Sequence, residues 1–271
     1  MFFRMLRMHG NRLFQSKRFY MSILCVAGIS LLSIAAEIQE GVDFSVYYLI
    51  QIRHGIGAFF LAMSVVIALP YGMNYLEDRK NHYEYGIMSR GDRLSYCWAN
   101  VVVTALSAFL TVFFGYLILY GILRLRFPVI RTEELEILRE YLSAQGGVTP
   151  YERLLLGNVP ILYFLCTFFT EAIAYAFMAG VTLMFSAKIT NAFVLLSVPL
   201  IFYQCSVYIC SVFHLPWFFR WDYMLSHGRY FALITDRAWV LLLYLLAYFS
   251  CLTGAAGVVF AKWVEGKRNY G

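Results

Sequence analysis

The apolar residues of this chain are gathered into six blocks of about twenty, and no other feature narrows its possible folds so far. At 1.5 Å per residue, a helix of that length crosses the roughly 30 Å hydrocarbon layer of a bilayer. Hydrophobic residues fill 61% of the 271 positions and charged residues only 14%, against roughly a quarter charged in an ordinary soluble domain. One globular core cannot hide that excess. The blocks are also continuously apolar, whereas a membrane β-barrel needs strands of about ten residues with alternating polarity. The expectation is an all-α integral membrane protein, a single transmembrane domain over 1–271, with six transmembrane helices at about 19–37, 56–74, 97–122, 159–185, 191–213 and 238–261.

The charges lie between the blocks. Residues 1–18 mix Arg4, Arg7, Arg12, Lys17 and Arg18 with Phe2, Phe3, Leu6, Leu13 and Phe14, the pattern of an amphipathic interfacial helix. Ser33-Ile34-Ala35 resembles a signal cleavage site, but the apolar stretch from Phe19 to Ala36 is longer than a signal core, so it is expected to stay as span 1. Six spans put both termini on one side. Lys and Arg are denser on that side, which predicts cytoplasmic termini, although five arginines between spans 3 and 4 run against the rule. That connection also carries Leu135, Leu138 and Leu142 at helical spacing, which predicts a short amphipathic helix that caps the spans or lies on the outer leaflet.

Several functions are disfavoured. The net charge of +6 forms no stripe or nucleic-acid motif, and flanking spans it suits anionic headgroups instead. Cys25, Cys97, Cys166, Cys205, Cys210 and Cys251 form no C-x-x-C pair, and the five histidines are scattered, so neither a metal site nor a disulfide framework is expected. No G-x-S-x-G or H-E-x-x-H sequence is present. No phosphate-binding G-x-x-x-x-G-K-[ST] loop occurs either, so any ATP hydrolysis belongs to another chain.

Two features inside the blocks stand out. Glu171 is an acidic residue deep in span 4, where a charge is expensive. Either it binds a cationic substrate group or carries a proton, or it is a neutral carboxyl bonded to a nearby Tyr or Thr. Rows of small residues, Ala172-Ala176-Gly180 and Ala247-Cys251-Ala255, permit close helix approach. Between spans 5 and 6, Phe213, Trp217, Phe218, Phe219, Trp221, Tyr223, Tyr230 and Phe231 read as an interfacial belt or as a re-entrant pair of short helices.

After span 2 the chain runs Glu77-Asp78-Arg79-Lys80-Asn81-His82-Tyr83-Glu84-Tyr85-Gly86-Ile87-Met88-Ser89-Arg90-Gly91-Asp92-Arg93-Leu94. An acidic residue leaving span 2, a short helix at 84–88 and a small-polar-to-Arg turn at 89–93 resemble the second-to-third span connection of ABC-2 type exporter permeases. Arg90 stands where Pro is common in that family, and Asn100 where Lys often opens span 3. The resemblance implies that a cytoplasmic coupling helix docks on a separate ABC ATPase, with Glu77, Asp78, Arg79, Glu84, Tyr85, Ile87, Ser89 and Arg93 as coupling residues. It further implies ATP and Mg on that partner, no catalytic residue or cofactor in this chain, and a second permease copy as homodimer or heterodimer. The expected function is export, across or out of a bacterial plasma membrane, of a hydrophobic or amphipathic substrate such as a lipid, peptide or drug. The alternative is an ion-coupled carrier or channel using Glu171.

Overall fold

The computed structural model describes residues 1–39, 44–53, 57–83, 86, 92–143, 148–216, 220 and 235–266. All regular structure among them is helical: α1 (Phe2–Gln15), α2 (Lys17–Gln39), α3 (Val46–Ile52), α4 (Gly57–Val66), α5 (Asn74–Lys80), α6 (Arg93–Arg124), α7 (Thr132–Ser143), α8 (Glu152–Leu156), α9 (Pro160–Ser186), α10 (Ala192–Val212) and α11 (Ala238–Gly266). Helices are the natural answer for apolar blocks, because only intrahelical bonds satisfy every backbone group without water.

Five of them, α2, α6, α9, α10 and α11, are long and apolar enough to cross a membrane. They match the expected spans 1, 3, 4, 5 and 6 to within a few residues at most ends. The exceptions are the start of α6 and the end of α11, which extend past the apolar blocks. The helix α9 is the hub. In its most apolar stretch 78% of residues are buried, against 22% for α10 and for α11, so α9 is enclosed while those two present much of their surface outward. Its neighbours are α6, α11 and α10, and α6 in turn packs on α1 and α2.

Span 2 differs from expectation. Instead of one helix over 56–74, the chain forms α3, then α4, then turns over 67–73, then α5. Pro70 has no N–H to continue the ladder, and Gly72 sits where a Cβ would meet the Ala68 carbonyl oxygen at 2.8 Å. Turn hydrogen bonds nevertheless persist, Ile67 N to Met63 O, Gly72 N to Ala68 O and Asn74 N to Tyr71 O, each 3.0 Å. Ile67, Ala68 and Tyr71 are buried, as irregular backbone at membrane depth requires.

The ends of this broken path are fixed on opposite ends of α6. Val46 and Tyr47 donate their N–H groups to Pro128 and Val129, just past the C-terminus of α6. At the other end Asp78 accepts from Tyr96, in the first turn of α6. The intervening helix is 32 residues long, or about 48 Å. Beside it α2 approaches so closely that a Cβ on Gly115 would lie 2.5 Å from Val26 Cγ1, which explains the glycine.

Polar caps close the end near α3. The Ser45 hydroxyl accepts from Tyr48 N and donates to Glu134 of α7, whose other oxygen accepts from Arg131 N. Thr149 and Glu152 form a reciprocal capping box on α8, and Glu152 also accepts from Tyr47 and Gln51. The short helix expected from Leu135, Leu138 and Leu142 is therefore α7, docked through Leu138 as a cap on the bundle. Of the two small-residue rows, Ala172, Ala176 and Gly180 are buried in the bundle, whereas Ala247, Cys251 and Ala255 lie on the outward face of α11. Most of the aromatic connection between α10 and α11 lies outside the described residues.

Candidate functional site

Besides the polar caps near α3, two clusters among the described residues bring buried charged side chains into the helix bundle. The first joins α1, α5 and α6. On α1, Met5, His9 and Leu13 recur every four residues and form the buried face, leaving Phe3, Phe14 and the arginines outside. The helix ends at Ser16, whose extended backbone turns the chain into α2. Asp78 of α5 is fully buried. It receives Arg12 through both guanidinium nitrogens, at 2.9 and 3.2 Å, and the Tyr96 hydroxyl at 2.8 Å. Asn74, one turn earlier, reaches Asp78 at 3.3 Å and Asn100 at 3.1 Å.

His9 closes this network. Its Nδ1 lies 2.6 Å from the Tyr71 hydroxyl, and the Asn100 amide faces Nε2 at 3.5 Å. Burial pushes its pKa down from 6.5 to about 4, with Asp78 opposing and Arg12 reinforcing the shift. The imidazole is therefore neutral at pH 7, matching neighbours that offer a hydroxyl and an amide. The cluster ties the amphipathic N-terminal helix to the bundle rather than leaving it only at the membrane surface.

Of the expected coupling residues, Glu77 pairs with Arg18 at the start of α2, and Asp78 faces inward to Arg12. Arg79 lies in the last turn of α5 without an ion-pair partner among the described residues. Arg93 opens α6 and donates to the Val264 carbonyl of α11. Glu84, Tyr85, Ile87 and Ser89, with the short helix expected there, lie outside the described residues. The exposed Lys80, Asn81, His82 and Tyr83 lead into that segment, and Asp92 ends it by capping α6 through Leu94 N and Ser95 N. The Ser95 side-chain and backbone bonds hold the Asp92 carboxyl below its usual pKa.

The second cluster holds Glu171. It lies near the middle of α9 and forms an ion pair with Arg53, which follows the last turn of α3, in the break before α4. Both are buried, at 1% and 0% exposure. The guanidinium stacks on Tyr116 at 4.0 Å from the ring centroid, and Phe168 stands 5.7 Å away. Thus Glu171 meets a cation rather than lying bare. Sequence reasoning missed Arg53 by counting it among the charges of a connection. The available signal was its isolation: between Phe44 and Leu76 it is the one Lys, Arg, Asp or Glu.

Among the described residues the six cysteines are free, and no group of three His, Cys, Asp or Glu side chains converges as a metal site would. No protein-family model matches the chain, and neither a curated protein nor a solved structure matches it.

Proposed function

We propose that this chain is the membrane-spanning subunit of an ABC-2 type exporter, moving a hydrophobic or amphipathic substrate with energy from a separate cytoplasmic ATPase that holds ATP and Mg. The observation that carries the reading is how the roots of the 84–91 segment are fastened. Glu77 engages α2, Asp78 engages α1 and α6, and Arg93 engages α11. A partner that shifts this segment therefore moves four helices together, which is how a lever between long elements works.

The path through α3, α4 and α5, anchored at opposite ends of α6, supplies a sixth crossing in this reading. An even number places both termini together, in the cytoplasm by the distribution of basic residues. The outward surfaces of α10 and α11 then face lipid and a second copy, identical or homologous, in the plasma membrane of a bacterium. The test is affinity purification with an ATPase encoded beside this chain: co-purification that Tyr85→Ala weakens supports the reading, and an ATPase indifferent to residues 83–88 refutes it.

A second reading is favoured by the Arg53–Glu171 pair, since intramembrane charges at a broken helix mark ion pathways as well as packing. In an ion-coupled carrier or channel, liposomes holding this chain alone would transport under a proton gradient, and Glu171→Gln would abolish it. Transport that requires the ATPase excludes this alternative.

A further inference from the structure

A cleft of about 300 Å³ opens between the C-terminal ends of α2 and α6, at the lower end of the roughly 300–1,000 Å³ range of small-molecule sites. Its walls are Leu31, Ala35 and Ile38 on one side and Ile122 and Leu123 on the other, with Arg126 at the rim. The helices touch lower down, at Val26 and Gly115, so the cleft closes toward the bilayer middle and opens at its edge. Gln39 and Arg126 are the polar residues of its lining and the other six are apolar, which suits an acyl chain better than a soluble metabolite.

The rim has charge to spare. The connection after α6 is the one whose arginines run against the positive-inside rule. Arg131 pairs with Glu133, and Arg153 with Asp236. By contrast Arg124 and Arg126 are exposed and meet no carboxylate among the described residues. Arg124 reaches the Phe127 carbonyl at 3.5 Å, and the Arg126 guanidinium lies 5.6 Å from the Phe127 ring centroid. Arg124 is the last residue of α6 and Arg126, which lines the cleft, follows it by two, so both sit at the end of an apolar span, the level expected of lipid phosphates.

We infer that this cleft is a binding site for one anionic phospholipid, with an acyl chain between α2 and α6 and the phosphate on Arg126 and Arg124. The apolar walls select a chain, and two guanidiniums that meet no carboxylate among the described residues select a negative headgroup over a zwitterionic one. The inference does not depend on the ATPase reading, since it concerns a resident lipid rather than cargo.

The test uses the full-length protein in detergent micelles, titrated with dioleoylphosphatidylglycerol or dioleoylphosphatidylcholine and read by intact-protein mass spectrometry. One phosphatidylglycerol is expected to bind at lower concentration than phosphatidylcholine. Arg126→Ala should weaken it about fivefold, and Arg124→Ala with Arg126→Ala about twenty-fivefold, with a smaller loss for phosphatidylcholine, whose choline already offsets its phosphate charge. Ala35→Trp, which fills the cleft, should weaken both lipids. The arginine variants alter only exposed side chains, so they remain decisive if Ala35→Trp does not fold. Equal binding of the two lipids by the wild type, or phosphatidylglycerol binding indifferent to the arginines, would overturn the assignment. So would efficient competition by glycerol phosphate, which has a headgroup but no chain.

Discussion

Removing one member of the Arg53–Glu171 pair strands the other in a site with almost no solvent. Each is at most 1% exposed, so neither charge can recover water without opening the bundle. Losing a single partner of such a pair costs about 3–5 kcal/mol, whereas replacing both with apolar residues of similar volume is often neutral or better. At roughly 2–4 °C per kcal/mol for a chain somewhat shorter than this one, Arg53→Met or Glu171→Met should lower the unfolding temperature by about 6–20 °C. The double variant should regain most of that loss. Arg53→Met also removes the cation stacked on Tyr116, so it should be the more harmful single change. A thiol-reactive dye reads unfolding as the added reactivity of the buried Cys97 and Cys210, once the exposed Cys25, Cys205 and Cys251 are replaced by Ser. If the single changes shift the midpoint by under about 2 °C, or the double variant loses the sum of both, the two charges do not act as a pair and the reasoning fails.

Three further outcomes follow from the same geometry. Asp78→Asn removes the charge and one of the two acceptor oxygens that hold Arg12 and should cost about 1–3 kcal/mol, the lower end applying because Arg12 is 40% exposed and rehydrates; limited proteolysis should then cut near Ser16 faster than in the wild type. His9 is neutral when docked and titrates near 6.5 when α1 is released, so docking is strongest above pH 6.5. It weakens as pH falls from about 6.5 to about 4, by about 1.4 kcal/mol per unit. Proteolysis that does not change over that interval, or that changes equally in His9→Gln, would contradict this. Gly115→Val places a side chain where Val26 already stands and should cost about 1–3 kcal/mol, seen as a lower unfolding temperature, while Gly121→Ala, with open space around it, should cost nothing measurable.

Five of the helices were legible because unbroken apolar blocks in lipid leave the chain little choice. Span 2 was not, since an apolar block has no period that reports where it breaks. Pro70 and Gly72 interrupt it without interrupting its hydropathy. Glu171 was visible as a charge out of place, but its partner fell outside the drawn span and passed for a loop cation. Asp78 was assigned to an outward contact with the residues around it, whereas α5 buries Asn74, Tyr75, Leu76 and Asp78 together. The clue lay in polar residues on faces that are otherwise apolar: His9 between Met5 and Leu13 on α1, Tyr96 and Asn100 on α6.

The central claim is that movement of residues 77–93 is what couples the membrane helices to ATP hydrolysis on a partner. Arg93 is a poor probe because it also holds α11. Tyr85 and Ile87 are the better ones, with Arg139, on the exposed face of α7 at the other end of the bundle, as the control. The measurement is the ratio of substrate moved to ATP hydrolysed in proteoliposomes containing this chain and the proposed partner ATPase. The account predicts that Tyr85→Ala and Ile87→Ala lower that ratio at least tenfold, or abolish assembly, while Arg139→Ala leaves it at the wild-type value. Wild-type ratios in both loop variants, with assembly intact, would contradict it.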